Sequence, residues 1–87
     1  MYNLKMSEYS IYVIRSAVDG RLYVGMSAHV SKRVHEHNSG EVFSTKGYRP
    51  WRLVYQEYIG SRAEARKREK YLKSGTGKEQ LKNFIPG

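Results

Sequence analysis

Cysteine is absent from the 87 residues, so neither a disulfide nor a thiolate zinc site can hold the fold together, and a reducing compartment is compatible with the chain. Stability must come from packing. Long apolar runs are missing as well: nothing approaches the roughly 20 residues of a membrane span, and the polar opening MYNLKMSEYS lacks the apolar stretch of a signal peptide. The expectation is a soluble, cytoplasmic protein with no membrane partner. Internal repeats, low-complexity tracts and a linker are also absent, which predicts one small domain over residues 1–87 with its core at about 9–85.

Acidic residues are scarce relative to basic ones. Sixteen Lys and Arg stand against eight Asp and Glu, a formal charge of +8, and residues 61–87 hold eight of those sixteen cations but only three of the acids. Such a surplus attracts polyanions over several ångströms, which makes nucleic acid the leading partner. The plainer alternative, that many small soluble proteins are simply basic, stays open on charge alone.

The stretch YSIYVIR (9–15) is rich in β-branched and aromatic residues and apolar on both alternating faces, as suits a central strand covered on each side. SAVDG then carries an Asp-Gly turn signal, and RLYVG returns as a second strand. With Asp19 and Gly20 as a two-residue loop, Val18 faces Arg21 and Ser16 faces Tyr23, so Tyr12 and Tyr23 fall on one face. MSAHVSKRVHEHNSG predicts a short helix with Ser27 as N-cap and a stop at Asn38–Gly40, its inward edge carrying Val30, Val34 and His37 beside Arg33. Residues 41–50 read as an exposed loop closed by Pro50, and WRLVYQEYI as a third strand ended by Gly60. A capping box formed by Ser61 and Glu64 opens a second helix, capped by Gly75; Thr76 and Glu79 repeat the box for a last one. The predicted fold is α+β: a small three-stranded antiparallel sheet flanked by three helices, in the order β-β-α-β-α-α.

Glu69 is the most informative single residue. It lies on the stripe Ala65, Glu69, Leu72 that should face the sheet, and burying a lone carboxylate is costly enough to demand a cation, either a metal or a basic side chain. A purely structural pairing with Arg62, Arg66 or Lys73 remains the alternative. Arg33 and His37 form a second suggestive pair, one able to clamp a phosphate and the other to move a proton near neutral pH, against the alternative of a solvated basic face with a capping histidine. His29, His35 and His37 lack the partners and spacing of a zinc site, and GTGK (75–78) lacks the glycine spacing of a phosphate loop. Tyr9, Tyr55 and Tyr58 read as strand packing.

Taken in order, SIY, YVG, RVHEH, NSG and AEARKREKYLK closely resemble the GIY-YIG endonuclease domain over roughly residues 9–85. That resemblance implies hydrolysis of DNA phosphodiesters with a divalent metal, Mg2+ or Mn2+, in a family found in homing, restriction, DNA repair and junction resolution. Carried over by motif, Tyr12 and Tyr23 match the two signature tyrosines, one of them a candidate general base, and Arg33 the helix arginine that contacts phosphate. His37 falls where members have His or Tyr, Glu69 matches the lone metal-binding glutamate, and Gly25 matches a glycine that lets the backbone pass close to the site. Lys32, Arg33, Lys46, Arg66 and Lys73 are candidate DNA contacts, and Asn83 is a candidate for a late asparagine seen in several members. Ser10 and Val24 are mild departures from the motifs. Met26 stands where some members carry a lysine, removing one electrostatic contact.

The expected function is therefore a metal-dependent endonuclease, structure-directed or weakly sequence-selective, acting on DNA that could be branched or damaged. Its alternative is a noncatalytic DNA- or RNA-binding module on the same fold; a protein-interaction domain would need an exposed apolar patch. One site cuts one strand, so a monomer acting twice and a homodimer are both consistent with the chain.

Overall fold

A computed structural model describes residues 8–85; the expectation drawn from the polar opening segment lies largely outside them. Strand β1 (Tyr9–Ser16) occupies the centre of an antiparallel sheet, between β2 (Leu22–Ser27) and β3 (Trp51–Gly60). Three helices follow the predicted order: α1 (Val30–Asn38) between β2 and β3, then α2 (Arg62–Lys73) and α3 (Gly75–Phe84). Among the described residues no helix is long and apolar enough to cross a membrane.

The two apolar faces of β1 are why the sheet is covered on both sides. Ile11 and Val13 point one way and pack with Val24, Leu72, Leu81 and Ile85, so α2 and α3 lie on that face. Tyr12 and Ile14 point the other way and pack with Val30 and Trp51, which places α1 there, with Tyr23 and Val34 alongside. Each face removes apolar surface from water, the main stabilising term available to a chain without cross-links.

The hairpin register departs from expectation. Ile14 pairs with Tyr23 and Tyr12 with Gly25, and the Ser16 amide bonds the Arg21 carbonyl at 2.9 Å, so the loop is Ala17–Gly20 rather than Asp19–Gly20 alone. Gly20 supplies the positive φ of +78° that closes it. The slip is two residues, and side chains alternate with a period of two. Both tyrosines therefore stay on one face.

Helix ends show the other corrections. The Ser61 hydroxyl accepts the Glu64 amide as predicted, whereas α1 begins after His29, with Ser27 bonding the His29 amide one step earlier. Neither Gly75 nor Thr76 caps a helix. Ser74 does both tasks: its hydroxyl donates to the Tyr71 carbonyl (2.6 Å) at the end of α2 and accepts the Gly77 amide (3.2 Å) at the start of α3. An extended serine (φ −75°, ψ 167°) turns the chain here, so no left-handed glycine is needed.

Glycine is needed three residues later. A Cβ on Gly77 would overlap the Tyr71 carbonyl oxygen and crowd the Leu72 Cα, backbone atoms that cannot swing aside. Gly77→Ala is expected to cost about 2 kcal/mol or more through overpacking, read as a fall in Tm of roughly 10 °C. Gly75→Ala, which meets open space, is expected to leave Tm unchanged or slightly raised; equal losses for the two would overturn this account of the junction.

Candidate functional site

On the α1 side of the sheet the two tyrosine rings stand with centroids 6.5 Å apart. Tyr12 is 1 % exposed, while Tyr23 is half-buried at the mouth of the site. Gly25 lies directly across the ladder from Tyr12, and a Cβ there would come within 2.5 Å of the Tyr12 Cζ and hydroxyl. The glycine expected to permit close backbone approach thus admits the Tyr12 ring itself.

His37, in the last turn of α1, is fully buried and bridges the sheet to the following loop. Tyr12 Oη lies 2.8 Å from His37 Nε2, and His37 Nδ1 lies 2.8 Å from Thr45 Oγ1. Thr45 spends its single proton on the Val42 carbonyl, 3.3 Å away. Its oxygen must then accept from Nδ1–H, which leaves Nε2 as the acceptor and assigns the Tyr12 hydroxyl as donor. Thr45 is buried, so the loop read as exposed is anchored at its middle. Sequence reasoning missed this residue, because its contact with His37 exists only once the loop has closed.

Burial, with Tyr23 as a second and smaller influence, pushes the Tyr12 phenol up to about 12; the Arg33 guanidinium partly offsets this, and the Glu69 carboxylate adds a little. Burial first, and then the positive charge of Arg33, holds the His37 imidazolium below the ordinary value of 6.5. Both groups are therefore neutral at pH 7, as the assigned hydrogen bonds require.

Arg33 sits one turn before His37, half-buried, with Nη1 donating to Glu36 Oε1 at 2.9 Å. Glu69 comes from α2, close enough for its carboxylate to act on Tyr12. Its side chain is 15 % exposed, intermediate between the buried Ala65 and Leu72 of its stripe and free solvent, and it pairs with Arg66 Nε (3.5 Å) and Lys73 Nζ (3.3 Å). Lys73 in turn lies 5.7 Å from the centre of the Tyr23 ring. Two of the three anticipated structural partners are thus present.

The structure brings together Tyr12, Tyr23, Gly25, Arg33, His37, Glu69 and Lys73. Lys32 and Lys46 are exposed, on α1 and on the loop after it, and Arg66 lies outside Glu69. Asn83 does not join them. It is exposed on α3, whose Leu81 packs, with the following Ile85, on the opposite face of the sheet.

With this geometry in hand, comparison with known proteins is decisive. The family model described as the GIY-YIG catalytic domain matches residues 8–83. The chain belongs to the GIY-YIG family. A UPF0213 protein of Staphylococcus saprophyticus is 38 % identical over 83 residues, spanning 94 % of this chain and 100 % of the relative. UPF0213 proteins of Staphylococcus aureus, including that of strain N315, are 38 % identical over 78 residues, covering 88 % of this chain and 94 % of theirs. Among solved structures, the solution NMR structure of the UPF0213 protein BH0048 from Bacillus halodurans is similar, with a TM-score of 0.55, 32 % identity, and coverage of 88 % of this chain and 84 % of that one. The GIY-YIG domain is generally a nuclease fold, which points to a nucleic-acid substrate.

The depressed imidazole pKa of this GIY-YIG domain has a stability consequence with a definite sign. A group whose folded pKa lies below its unfolded value contributes stability that is complete above the unfolded pKa and is lost as pH falls through the folded one. The urea midpoint is expected to be level from pH 7 to about 9 and to decline as pH falls below about 6.5. His37→Gln should lower the plateau and remove that acid slope, because it has no imidazole to protonate; persistence of the full slope in the variant would contradict the assignment.

Proposed function

We propose that this GIY-YIG domain is a divalent-metal-dependent endonuclease that hydrolyses DNA phosphodiester bonds. The observation that carries the reading is the bond from the Tyr12 hydroxyl to the buried, neutral His37, placed beside Tyr23, Arg33 and Glu69. Phosphodiester hydrolysis needs a base for water, positive charge on the phosphoryl oxygens and relief of charge on the leaving oxygen. Each requirement has a matching side chain.

A phenol with a pKa of about 12 is a poor free base. Its proton, however, already lies on a bond to Nε2. As water attacks phosphorus, its proton passes to the Tyr12 oxygen while the Tyr12 proton passes to His37, so the pair ends as phenol and imidazolium with no free phenolate. The P–O bond to the leaving oxygen breaks, and that oxygen takes a proton from solvent. Thr45 holds the imidazole in the accepting tautomer throughout. Arg33 exchanges Glu36 for the phosphoryl oxygens, a bidentate match for a guanidinium. Tyr23, the more open phenol, borders the position of the scissile group.

The donor set suits Mg2+ or Mn2+. Such hard ions bind through one or two carboxylates, with waters and substrate phosphates completing the shell, and Glu69 is a lone carboxylate at the rim of this face; no group of three or more His, Cys, Asp or Glu comes together among the described residues. Glu69 would hold the ion, which when bound supplies Lewis-acid stabilisation of the charge on the phosphoryl and leaving oxygens. Arg66 and Lys73 would then turn from Glu69 to backbone phosphates, with Lys32 and Lys46 as outer contacts.

A nicking assay with Mg2+ or Mn2+ tests the reading. Glu69→Gln and Tyr12→Phe are each expected to lower the rate at least 100-fold, on the order seen when a positioned general base or charge stabiliser is removed. Lys32→Ala should weaken DNA binding evenly across sequences and reduce the salt slope by about 1. Because His37 receives the proton, the rate should rise with pH only until the imidazole is neutral, below about 6.5, and then stay level. A rate that climbs steadily toward pH 10 would identify a free phenolate instead, and DNA binding without cleavage by the parent would leave a noncatalytic binding module.

A further inference from the structure

Phe43 lies in the loop that follows α1 and is 90 % exposed, more than any other large apolar side chain among the described residues. Its turn is firmly built. The Val42 carbonyl accepts the Thr45 amide (3.1 Å), the Lys46 amide (3.0 Å) and the Thr45 hydroxyl (3.3 Å), and the Thr45 carbonyl accepts the Tyr48 amide (3.1 Å) and the Trp51 indole N–H (2.9 Å). A hydrophobic ring at the crown of a tightly bonded turn gains nothing from the fold it stands on. Thr45, which closes the turn, touches His37, so the ring is carried two residues from the hydrogen-bonded chain that ends at Tyr12.

Cations stand beside it on the same loop. Lys46, Arg49 and Pro50 line an open basin of about 470 Å³ with Asn38 and Gly47. Arg49 is positioned by its Nε bond to the Lys46 carbonyl (2.7 Å) and by packing on Gly40, whose positive φ of +84° leaves room that a Cβ would occupy. Neither Lys46 nor Arg49 has a carboxylate partner among the described residues. Asn38 is held by the Trp51 backbone, its amide donating to the carbonyl and its oxygen accepting the N–H. The loop therefore offers one uncovered aromatic face and two cations without carboxylate partners.

We propose that residues 43–49 form a second nucleic-acid subsite in which Phe43 stacks on an unpaired base and Lys46 and Arg49 hold the adjoining phosphates, directing the domain to single-stranded or unstacked DNA beside the Tyr12–His37 site. The inference rests on the nuclease reading only for its consequence in cleavage; as a binding site it stands on this loop alone. Every base has a π-face, so stacking is tolerant of sequence. In an intact duplex those faces are covered, and an exposed phenyl ring meets only the outside of the helix. The subsite thus selects flaps, gaps and junction arms by base accessibility.

Binding is measured without metal by fluorescence anisotropy, comparing a duplex that bears a single-stranded flap with the same duplex fully paired; an aminopurine at the first unpaired position reports stacking. Phe43→Ser is expected to weaken flap binding about 10-fold, within the range measured when a stacking aromatic is truncated, to leave duplex binding unchanged and to abolish the aminopurine signal. Phe43→Trp should retain all three properties, and matching thermal melts of the exposed-site variants guard against a folding effect. Equal flap affinity for the parent and Phe43→Ser would overturn the proposal, as would failure of the parent to prefer the flap. A Phe43-dependent flap preference in a parent that cleaves nothing would sustain this subsite and sink the nuclease reading. Cleavage of flap and duplex at equal rates irrespective of Phe43 would do the reverse.

Discussion

The hydrogen-bonded chain from Tyr12 through His37 to Thr45 is the constraint on which the rest of the site depends. All three side chains are buried, and an unpaired donor or acceptor in such a place costs about 1–3 kcal/mol, so the chain is satisfied as a whole or it penalises the fold. It ties the central strand to the end of α1 and then to the loop before β3. Gly25 belongs to the same constraint, since the Tyr12 ring occupies the volume of a side chain at that position. The imidazole is held neutral by the burial that makes its two bonds necessary. Structure and chemistry here share atoms, as expected of a domain too small to separate them.

Electrostatics divide the site into a buried neutral part and a charged rim. Arg33 faces Glu36, while Glu69 faces Arg66 and Lys73, so the rim is paired locally with one cation in excess, in keeping with the positive formal charge of the whole chain. These pairs are partly solvated, and such pairs contribute little to stability, about 0–1 kcal/mol each. Exchange of partners is therefore inexpensive. A phosphate arriving at the rim can replace one carboxylate as the partner of Arg33 without disturbing the buried chain behind it.

How much of this was legible in the sequence depended on the range of the interaction. The central place of β1 could be read from its two apolar faces, and the common face of Tyr12 and Tyr23 survived an error in the turn because the register slipped by an even number. The Ser61 cap is local and legible, whereas Ser74 is masked by its glycine neighbour, because propensity alone does not reveal that an extended residue can serve two helices. The pairing of Glu69 with Arg66 and Lys73 is legible from its place on an apolar stripe and from helical spacing. Thr45 left no comparable signal: its partner is eight residues back and the intervening chain looks like an exposed loop.

The position of Glu69 shows how distant packing enters the site. The α3 helix lies on the sheet face opposite the tyrosines and brings no residue to them, which is why Asn83 stays outside. It acts instead through α2. Gly77 lets the start of α3 press against the backbone of Tyr71 and Leu72, and Ser74 fixes the turn between the helices. Leu72 is wholly buried against Ile11 and Val13, so the axial setting of α2 is fixed at that point. Glu69 precedes Leu72 by one helical turn, and Lys73 follows it directly. The junction thus sets where the lone carboxylate and its lysine stand relative to Tyr23, even though α3 itself packs on the opposite face of the sheet.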